Sequence, residues 1–310
     1  MRPARLVVAF AFAAALSLDA QAQWSSDPAA NLVLSDRDNE QVQPKIVAIP
    51  DGGFYVSWFD NADGGYDVYL QRLDAAGNEL WPHDGILVAD RDLSSTEDYG
   101  LSIDADGNAL LAFGFRDAGA VQVLAQKVAP DGSLLWGDPG VFVSDDSPDT
   151  HAPKIAGTPD GGAVVLWASS AASTIVSKLD ADGNPAWPFP KTFTPPSGFF
   201  LPCDVHVDAD GDAIVSWSAQ LSFADRELWA QKLSGVDGNV LWNPDHVKIF
   251  DGTDGAMQLG NFPPFIEDGA GGAVFVWYTV TTQGSVRVQH VDATGTPLFA
   301  QNGVLASTDA

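Results

Sequence analysis

The chain has 310 residues, of which 41 are acidic and 15 are basic, so its formal net charge is −26. A surface with this charge repels nucleic acid and anionic membranes, and we expect neither as a partner. Cys203 is the single cysteine, so no disulfide can form within the chain. We expect its thiol to be buried as a small apolar group.

The first 22 residues have the three parts of a secretory signal peptide. A basic start precedes an apolar run over residues 6–18, and residues 20–22 form a small-x-small cleavage site. The apolar run is shorter than the roughly 20 residues needed to cross a bilayer. We predict cleavage after residue 22, a single domain over residues 23–310, export to the periplasm or the cell exterior, and no membrane insertion of the mature chain.

Nine of the ten tryptophans fall into two interleaved rows that run the length of the chain. Internal repeats of about 50 residues are typical of propellers and of arrays of one supersecondary unit. The first row is Trp58, Phe113, Trp167, Trp217 and Trp277, and the second is Trp24, Trp81, Trp136, Trp187, Trp242 and Phe299.

Glycines lie at fixed distances before these aromatic residues, and only glycine adopts the backbone of a tight hairpin turn without steric cost. A glycine precedes each first-row residue by six positions: Gly52, Gly107, Gly161, Gly211 and Gly271. Another precedes each second-row residue from Trp81 onward by four: Gly77, Gly132, Gly183, Gly238 and Gly295. Each repeat is therefore predicted to hold two hairpins and four antiparallel strands.

These repeats predict an all-β fold, a β-propeller whose blades are four-stranded antiparallel sheets. We prefer a five-bladed ring with an extra N-terminal outer strand over residues 24–36. The alternative is an incomplete six-bladed ring. The approximate repeat boundaries are 41–92, 93–147, 148–197, 198–254 and 255–310.

One stretch carries a family resemblance. Trp58-Phe59-Asp60, followed by Asp67-Val68-Tyr69-Leu70-Gln71 and a hairpin ending in Trp81, resembles the repeats of exported bacterial β-propeller proteins. The resemblance implies the fold and assigns no activity. The glutamine recurs as Gln126, Gln231 and Gln289, whereas the third repeat has Ser177, and we expect it to form hydrogen bonds between blades.

Candidate ligand contacts lie in loops on one predicted face of the propeller. Four of the six arginines that follow the signal peptide are there, and arginine forks bind carboxylated or phosphorylated groups while aromatic rings bind sugars. Each arginine has an acidic neighbour, so local ion pairing is the simpler interpretation and ligand binding is the alternative. The candidate residues are Arg37, Arg91, Arg116, Arg226, Asp60, Tyr66 and Tyr99.

No metal or cofactor site is predicted. The Asp-Ala-Asp-Gly segments that end at Gly107, Gly183 and Gly211 look like calcium loops, but apolar strand residues follow where further oxygen ligands are needed. We expect hairpin turns there, with weak surface calcium binding as the alternative. His151, near Asp145, is expected to be a solvated loop residue.

Function is less constrained than fold, because acidic residues are too numerous for any catalytic pair to be chosen. We prefer a non-catalytic binding or interaction module whose ligand is an unknown protein or glycan. One alternative is a propeller-type carbohydrate-active enzyme, sialidase-like or another glycoside hydrolase. Another is that the chain is part of a larger surface protein.

Overall fold

The computed structural model describes residues 27, 29, 31–117, 119–144, 150–222, 225–243, 246–253, 255–257, 262–280 and 284–307. Within these ranges the chain forms strands and turns, and no helix there is long and apolar enough to cross a membrane. The predicted signal peptide and Trp24 lie outside the described residues.

The described residues form five antiparallel sheets, and within each sheet the strands follow one another in chain order. Sheet 1 contains β1 (Gln41–Ala48), β2 (Phe54–Asp60), β3 (Asp67–Leu73) and β4 (Ile86–Ala89). Sheet 2 contains β5 (Gly100–Ile103), β6 (Ala109–Asp117), β7 (Ala120–Val128) and β8 (Val141–Phe142). Sheet 3 contains β9 (Thr150–Gly157), β10 (Ala163–Ser169), β11 (Thr174–Leu179) and β12 (Lys191–Phe193). Sheet 4 contains β13 (Phe199–Val207), β14 (Ala213–Gln220), β15 (Arg226–Leu233) and β16 (Val247–Phe250).

Sheet 5 has a first strand split in two, since β17 (Ala256–Met257) and β18 (Phe265–Glu267) both pair with β19 (Ala273–Val280). β20 (Gly284–Val291) and β21 (Val304–Leu305) complete it. Every sheet lies inside one predicted repeat, and the predicted propeller of four-stranded blades is confirmed.

The Asp-x-Asp-Gly segments are hairpin turns, as predicted. Asp104 Oδ1 accepts hydrogen bonds from the backbone N–H groups of Asp106 at 3.0 Å and Asn108 at 2.9 Å. Gly107 follows with a φ of +80°, in the region that glycine adopts without strain. The aspartate therefore satisfies the donors of its own turn.

Each second-row tryptophan from Trp81 onward packs on the second hairpin turn of the next sheet. The Trp187 indole N–H donates to the carbonyl of Gly235 at 3.3 Å. A Cβ on Gly238 would lie 2.9 Å from the same ring, so glycine is what lets the indole approach the turn. Trp81, Trp136 and Trp242 donate in the same way to Pro130, Ala181 and Ala293.

A basic side chain from the third strand of sheets 1 to 4 reinforces this junction. Lys127 Nζ lies 2.7 Å from Asp104 Oδ2 in its own sheet and donates at 2.8 Å to the carbonyl of Gly161 in the next. Arg72, Lys178 and Lys232 likewise donate to the turn carbonyls of Pro130, Gly235 and Gly271. Each lysine or arginine thus ties one blade to the next.

The expectation that the recurrent glutamine links blades is wrong. Gln126 Nε2 donates to the carbonyl of Gly137 at 2.5 Å, and its Oε1 accepts from the backbone N–H of Trp136 at 3.2 Å. Gln71, Gln231 and Gln289 make the same pair of contacts within their own sheets. The amide satisfies backbone groups where the chain bends between the third and fourth strands.

The seam between sheets 5 and 1 differs from the other junctions. Ile46 on sheet 1 is 63% exposed and Ile266 on sheet 5 is 64% exposed. The predicted outer strand over residues 24–36 is wrong for residues 31–36, which form no strand. Leu34 instead packs on the cluster of sheet 1 that contains Trp58. The five described sheets agree with the predicted number of blades.

We predict that Trp187→Ala destabilises the fold by about 3–5 kcal/mol, because it removes an indole ring that is 4% exposed and leaves a cavity between two sheets. Phe299→Ala is the matched control at the seam, where the ring is 40% exposed, and should cost under about 1 kcal/mol. Thermal unfolding of both variants checks this. Equal losses would show that the seam is packed like the other junctions.

Candidate ligand site at the propeller axis

The first strand of each sheet lies innermost. β1 contacts β5, β5 contacts β9, β9 contacts β13, and β13 contacts β18. These five strands therefore surround the axis of the propeller, where loops and side chains from several blades can meet in one cavity.

One position of the repeat faces this axis in every blade. It lies seven residues before the first turn glycine and is Lys45, Gly100, Lys154, Asp204 or Pro264, depending on the sheet. All five residues line one cavity of about 270 Å³. The cavity is therefore built from equivalent positions that carry different chemistry.

A β-bulge precedes each charged residue at this axial position, which is Lys45, Lys154 or Asp204. The pairing register shifts between Val42 and Lys45 in β1, next to Lys154 in β9, and between Pro202 and Asp204 in β13. A bulge bends its strand and re-aims the following side chain, and bulges are over-represented beside active sites. Irregular backbone thus coincides with the three charged side chains.

Asp98 joins the two axial lysines. Lys45 Nζ donates to Asp98 Oδ1 at 2.7 Å, and Lys154 donates to Asp98 Oδ2. Burial raises the pKa of Asp98, but the ammonium groups of Lys154 and Lys45 outweigh burial and hold it below its ordinary value. This carboxylate stays ionised between two cations.

Asp204 supplies the carboxylate that lines the cavity. Its Oδ2 accepts from the backbone N–H of Phe265 at 3.3 Å and lies 3.3 Å from His206 Nε2. Tyr99 forms part of the wall, and its hydroxyl donates to the carbonyl of Gln43 at 3.0 Å. Two lysines and the carboxylate of Asp204 thus line the cavity, and both lysines pair with Asp98.

Glu97, next to Asp98 in sequence, has the opposite electrostatic environment. Burial raises the pKa of Glu97, while His151, whose Nδ1 lies 3.3 Å from Glu97 Oε2, lowers it less. Glu97 Oε1 is buried and has no hydrogen-bond partner among the described residues. Glu97 is therefore harder to ionise than an exposed glutamate.

Three of the predicted ligand residues lie in one cluster on sheet 1. Arg37 Nε lies 3.2 Å from Asp60 Oδ1, and its guanidinium carbon lies 4.9 Å from the centre of the Tyr69 ring. Tyr66 donates its hydroxyl hydrogen to Glu40. Asp60 is buried, so its carboxylate is satisfied within the protein.

Arg91 and Tyr99 are fully buried. The guanidinium carbon of Arg91 lies 4.1 Å from the centre of the Phe59 ring, and Nε donates to the carbonyl of Gly114 at 2.6 Å. Burial lowers the pKa of Arg91 to about 10. Its position between sheets 1 and 2 presents no surface to a ligand.

The remaining arginines do not complete a shared pocket. Arg116 Nε donates to the carbonyl of Asp92 at 3.1 Å, near Arg91. Arg226 is buried beside sheet 5, where it donates to the carbonyl of Met257 at 2.7 Å. Ligand binding by the seven residues stays a prediction, since the structure gives most of them partners within the protein.

One group of side chains has the spacing of a cation site. Ligand atoms of Asp36, His83 and Asp84 lie within 4.8 Å of one another between the N-terminal segment and sheet 1. Glu79, at 3.0 Å from His83 Nδ1, raises the pKa of His83 and so favours an imidazolium over a neutral ligand. His151 also has an acidic partner, Glu97, while Asp145, Asp146 and Asp149 lie outside the described residues.

Sequence reasoning missed the axial residues, although the repeat carries their signal. Pro44-Lys45 and Pro153-Lys154 occupy the same offset from their turn glycines. Aligning all five repeats on those glycines would have placed both lysines on the axis. Cys203 lines the same cavity and is buried, as expected, and burial raises the pKa of its thiol.

Comparisons with known proteins support the fold. No protein-family model matches the chain, and no curated protein matches it. A polysaccharide lyase described as an ulvan lyase is 8% identical with a TM-score of 0.50, over 82% of this chain and 68% of its own. An α-L-arabinofuranosidase from Clostridium thermocellum is 15% identical with a TM-score of 0.46, over 86% and 94%. A Hadza microbial sialidase is 11% identical with a TM-score of 0.46, over 77% and 55%.

We predict that Asp98→Asn lowers the melting temperature at pH 7, because two lysines lose their shared carboxylate at a cost on the order of 2 kcal/mol. The pKa of Asp98 is depressed by folding, so its contribution is present above the unfolded pKa and is lost as pH falls through the folded value. The difference from wild type should therefore shrink below about pH 4. Asp106→Asn, on an exposed turn, is the control and should have little effect at either pH.

Proposed function

We propose that the protein is an exported binding module that holds one sugar unit of a glycan in the axial cavity. The proposal rests on which residues occupy the axial position in the five sheets. Glycine and proline fill the axial position in sheets 2 and 5, so the fold does not require lysine or aspartate there. Partly buried charges that the scaffold does not need are typical of functional sites.

The mixture of groups in the cavity suits hydroxyl groups. Lys45 and Lys154 donate hydrogen bonds, whereas Asp204 accepts them, and a sugar hydroxyl does both. The lysines oppose a bound divalent cation, and the carboxylates oppose a phosphate. A neutral polyhydroxyl ligand avoids both repulsions.

The size of the cavity limits the ligand. At about 270 Å³ it is smaller than the 300–1,000 Å³ of ordinary small-molecule sites. Phe262, which is partly exposed at the rim, offers an apolar surface to the face of a sugar ring. One terminal sugar unit inside, with the rest of the glycan outside, fits these dimensions.

We predict that Lys154→Met weakens glycan binding by about tenfold or more, because a charged hydrogen bond is lost while side-chain volume is kept. The probe is an array of neutral and uronic-acid oligosaccharides, followed by calorimetry with the oligosaccharide that binds best. Lys191→Met is the control, because Lys191 lies on the outer strand of sheet 3. Equal affinity of Lys154→Met and wild type, or an array without a bound glycan, would contradict the proposal.

The environments of Glu97 and Asp98 favour a second candidate, a carbohydrate-active enzyme. The pKa of Glu97 is raised and that of Asp98 is lowered, and such a divergence is typical of an acid that works with an ionised carboxylate. Glycoside hydrolysis uses a proton donor and a carboxylate on either side of the bond that breaks. Glu97 would be the acid and Asp98 or Asp204 the carboxylate.

For this candidate we expect Glu97→Gln to reduce sugar release from a polysaccharide panel by at least about 100-fold, since glutamine cannot donate the proton. Glu79→Gln, beside His83 on sheet 1, is the control and should keep wild-type activity. A wild-type protein that binds an oligosaccharide and leaves it intact would support the binding module and reject the enzyme.

A further inference from the structure

A second cavity lies between the outer strand of sheet 3 and sheet 4. Its volume is about 360 Å³, within the 300–1,000 Å³ of ordinary small-molecule sites. No residue that lines it also lines the axial cavity. We call it the "outer cavity", and its lining residues include Lys191, Phe193, Phe200, Trp217, Trp229 and His246.

Two of the lining residues depart from the repeat at the same position. Four residues after the second-row aromatic residue, sheets 3 and 4 have Lys191 and His246, and both line the outer cavity. The other three sheets have a glycine with a positive φ there. Those glycines are Gly85, Gly140 and Gly303. A blade can therefore be built without a basic side chain at this position.

Trp229 also departs from the repeat. It is the tenth tryptophan of the chain and belongs to neither row. It lies two residues before the recurrent glutamine, where the other four sheets have four different residue types. Those residues are Tyr69, Leu124, Ile175 and Arg287. Packing between blades therefore does not require an indole here.

Aromatic rings form much of the wall of the outer cavity. Phe193 stacks on Trp217 with ring centres 4.4 Å apart. Trp229 lies edge-on to Phe200 at 4.9 Å and parallel to His246 at 3.8 Å. These contacts hold the rings in place, and a planar apolar group that enters the cavity gains contact with several of them.

Lys191 brings an ammonium group to this aromatic wall, and no carboxylate of the described residues neutralises it. It has no hydrogen bond or ion pair among those residues, and its Nζ lies 6.0 Å from the centre of the Phe193 ring. Each of the other six lysines forms an ion pair with a carboxylate. Those lysines are Lys45, Lys127, Lys154, Lys178, Lys232 and Lys248. An ammonium group without a partner suits an anionic ligand group.

The lysines also disfavour a cationic ligand. Aromatic rings attract cations, but Lys248 Nζ already lies 5.4 Å from the centre of the Trp229 ring, as Lys191 does near Phe193. A ligand cation would meet two ammonium groups there. Glu227, the carboxylate nearest Trp229, accepts from Trp229 Nε1 at 2.5 Å and from Lys248 at 2.9 Å. Both of its oxygens are thus satisfied within the protein.

The net charge of −26 opposes an anion only at long range. Charges in physiological salt are screened over a Debye length of about 8 Å. A carboxylate in contact with Lys191 Nζ is much closer than that, so the local ammonium decides the sign of the interaction.

We propose that the outer cavity binds a small aromatic carboxylate. Its ring lies against the aromatic wall, and its carboxylate accepts a hydrogen bond from Lys191 Nζ. The ring removes apolar surface from water, while the ion pair selects an acid over a neutral or cationic compound of the same shape. This inference does not depend on the axial cavity or on glycan binding.

Calorimetry with phenylacetate, phenylacetamide and choline tests the proposal. Phenylacetamide keeps the shape of phenylacetate without its charge, and it should bind at least about tenfold more weakly. Lys191→Met should weaken phenylacetate binding by a similar factor and leave phenylacetamide binding unchanged. Lys191 is partly exposed and has no ion pair to lose, so folding should survive, and thermal unfolding verifies this.

Lys154→Met is the matched control, because it removes the same charge from the axial cavity. It should bind phenylacetate like the wild type, so a failure of glycan binding and a failure of this proposal are distinguishable. A wild type that does not bind phenylacetate overturns the proposal, as does equal affinity after Lys191→Met. Choline that binds more tightly than phenylacetate would show instead that the rings select a cation.

Discussion

The contact between a second-row tryptophan and the glycine turn of the next sheet is the interaction on which the fold depends. A sheet that is apolar on both faces cannot be stable alone, and here each gains its stability from its neighbours. The indole of Trp187 fills the wedge between sheets and satisfies its N–H on the carbonyl of Gly235. Glycine at 238 permits the approach. Lys178 then adds a charged hydrogen bond to the same carbonyl.

The need for this contact at every junction also explains the two sides of the seam between sheets 5 and 1. Each described junction needs an aromatic ring from one sheet and a glycine turn from the next. At the seam Phe299 has no indole N–H to donate and is exposed. On the other side, Leu34 covers Trp58 in place of a neighbouring sheet. Sheet 5 therefore keeps exposed apolar side chains at positions that are buried in the other four sheets.

Rigid junctions at the periphery leave the axis free to vary. The axial position holds glycine, proline, lysine or aspartate in different blades, so the repeat does not fix its chemistry. Bulges in β1, β9 and β13 then aim Lys45, Lys154 and Asp204 inward. Because contacts between outer parts of the sheets hold the propeller together, charged groups can lie at its centre. We place the ligand there.

The sequence alone determined the number of sheets, their strands and their boundaries, because glycine turns and aromatic residues at fixed spacing are local requirements of each blade. It could not identify the axial site. Lys45, Asp98 and Lys154 come from three different repeats, and only packing around the axis brings them within hydrogen-bonding distance. Nor could it show that Arg91 is buried against Phe59, because a loop arginine beside aspartates has the same local pattern whether it faces solvent or the next blade. Local geometry is encoded residue by residue, whereas burial and convergence are properties of how the blades meet.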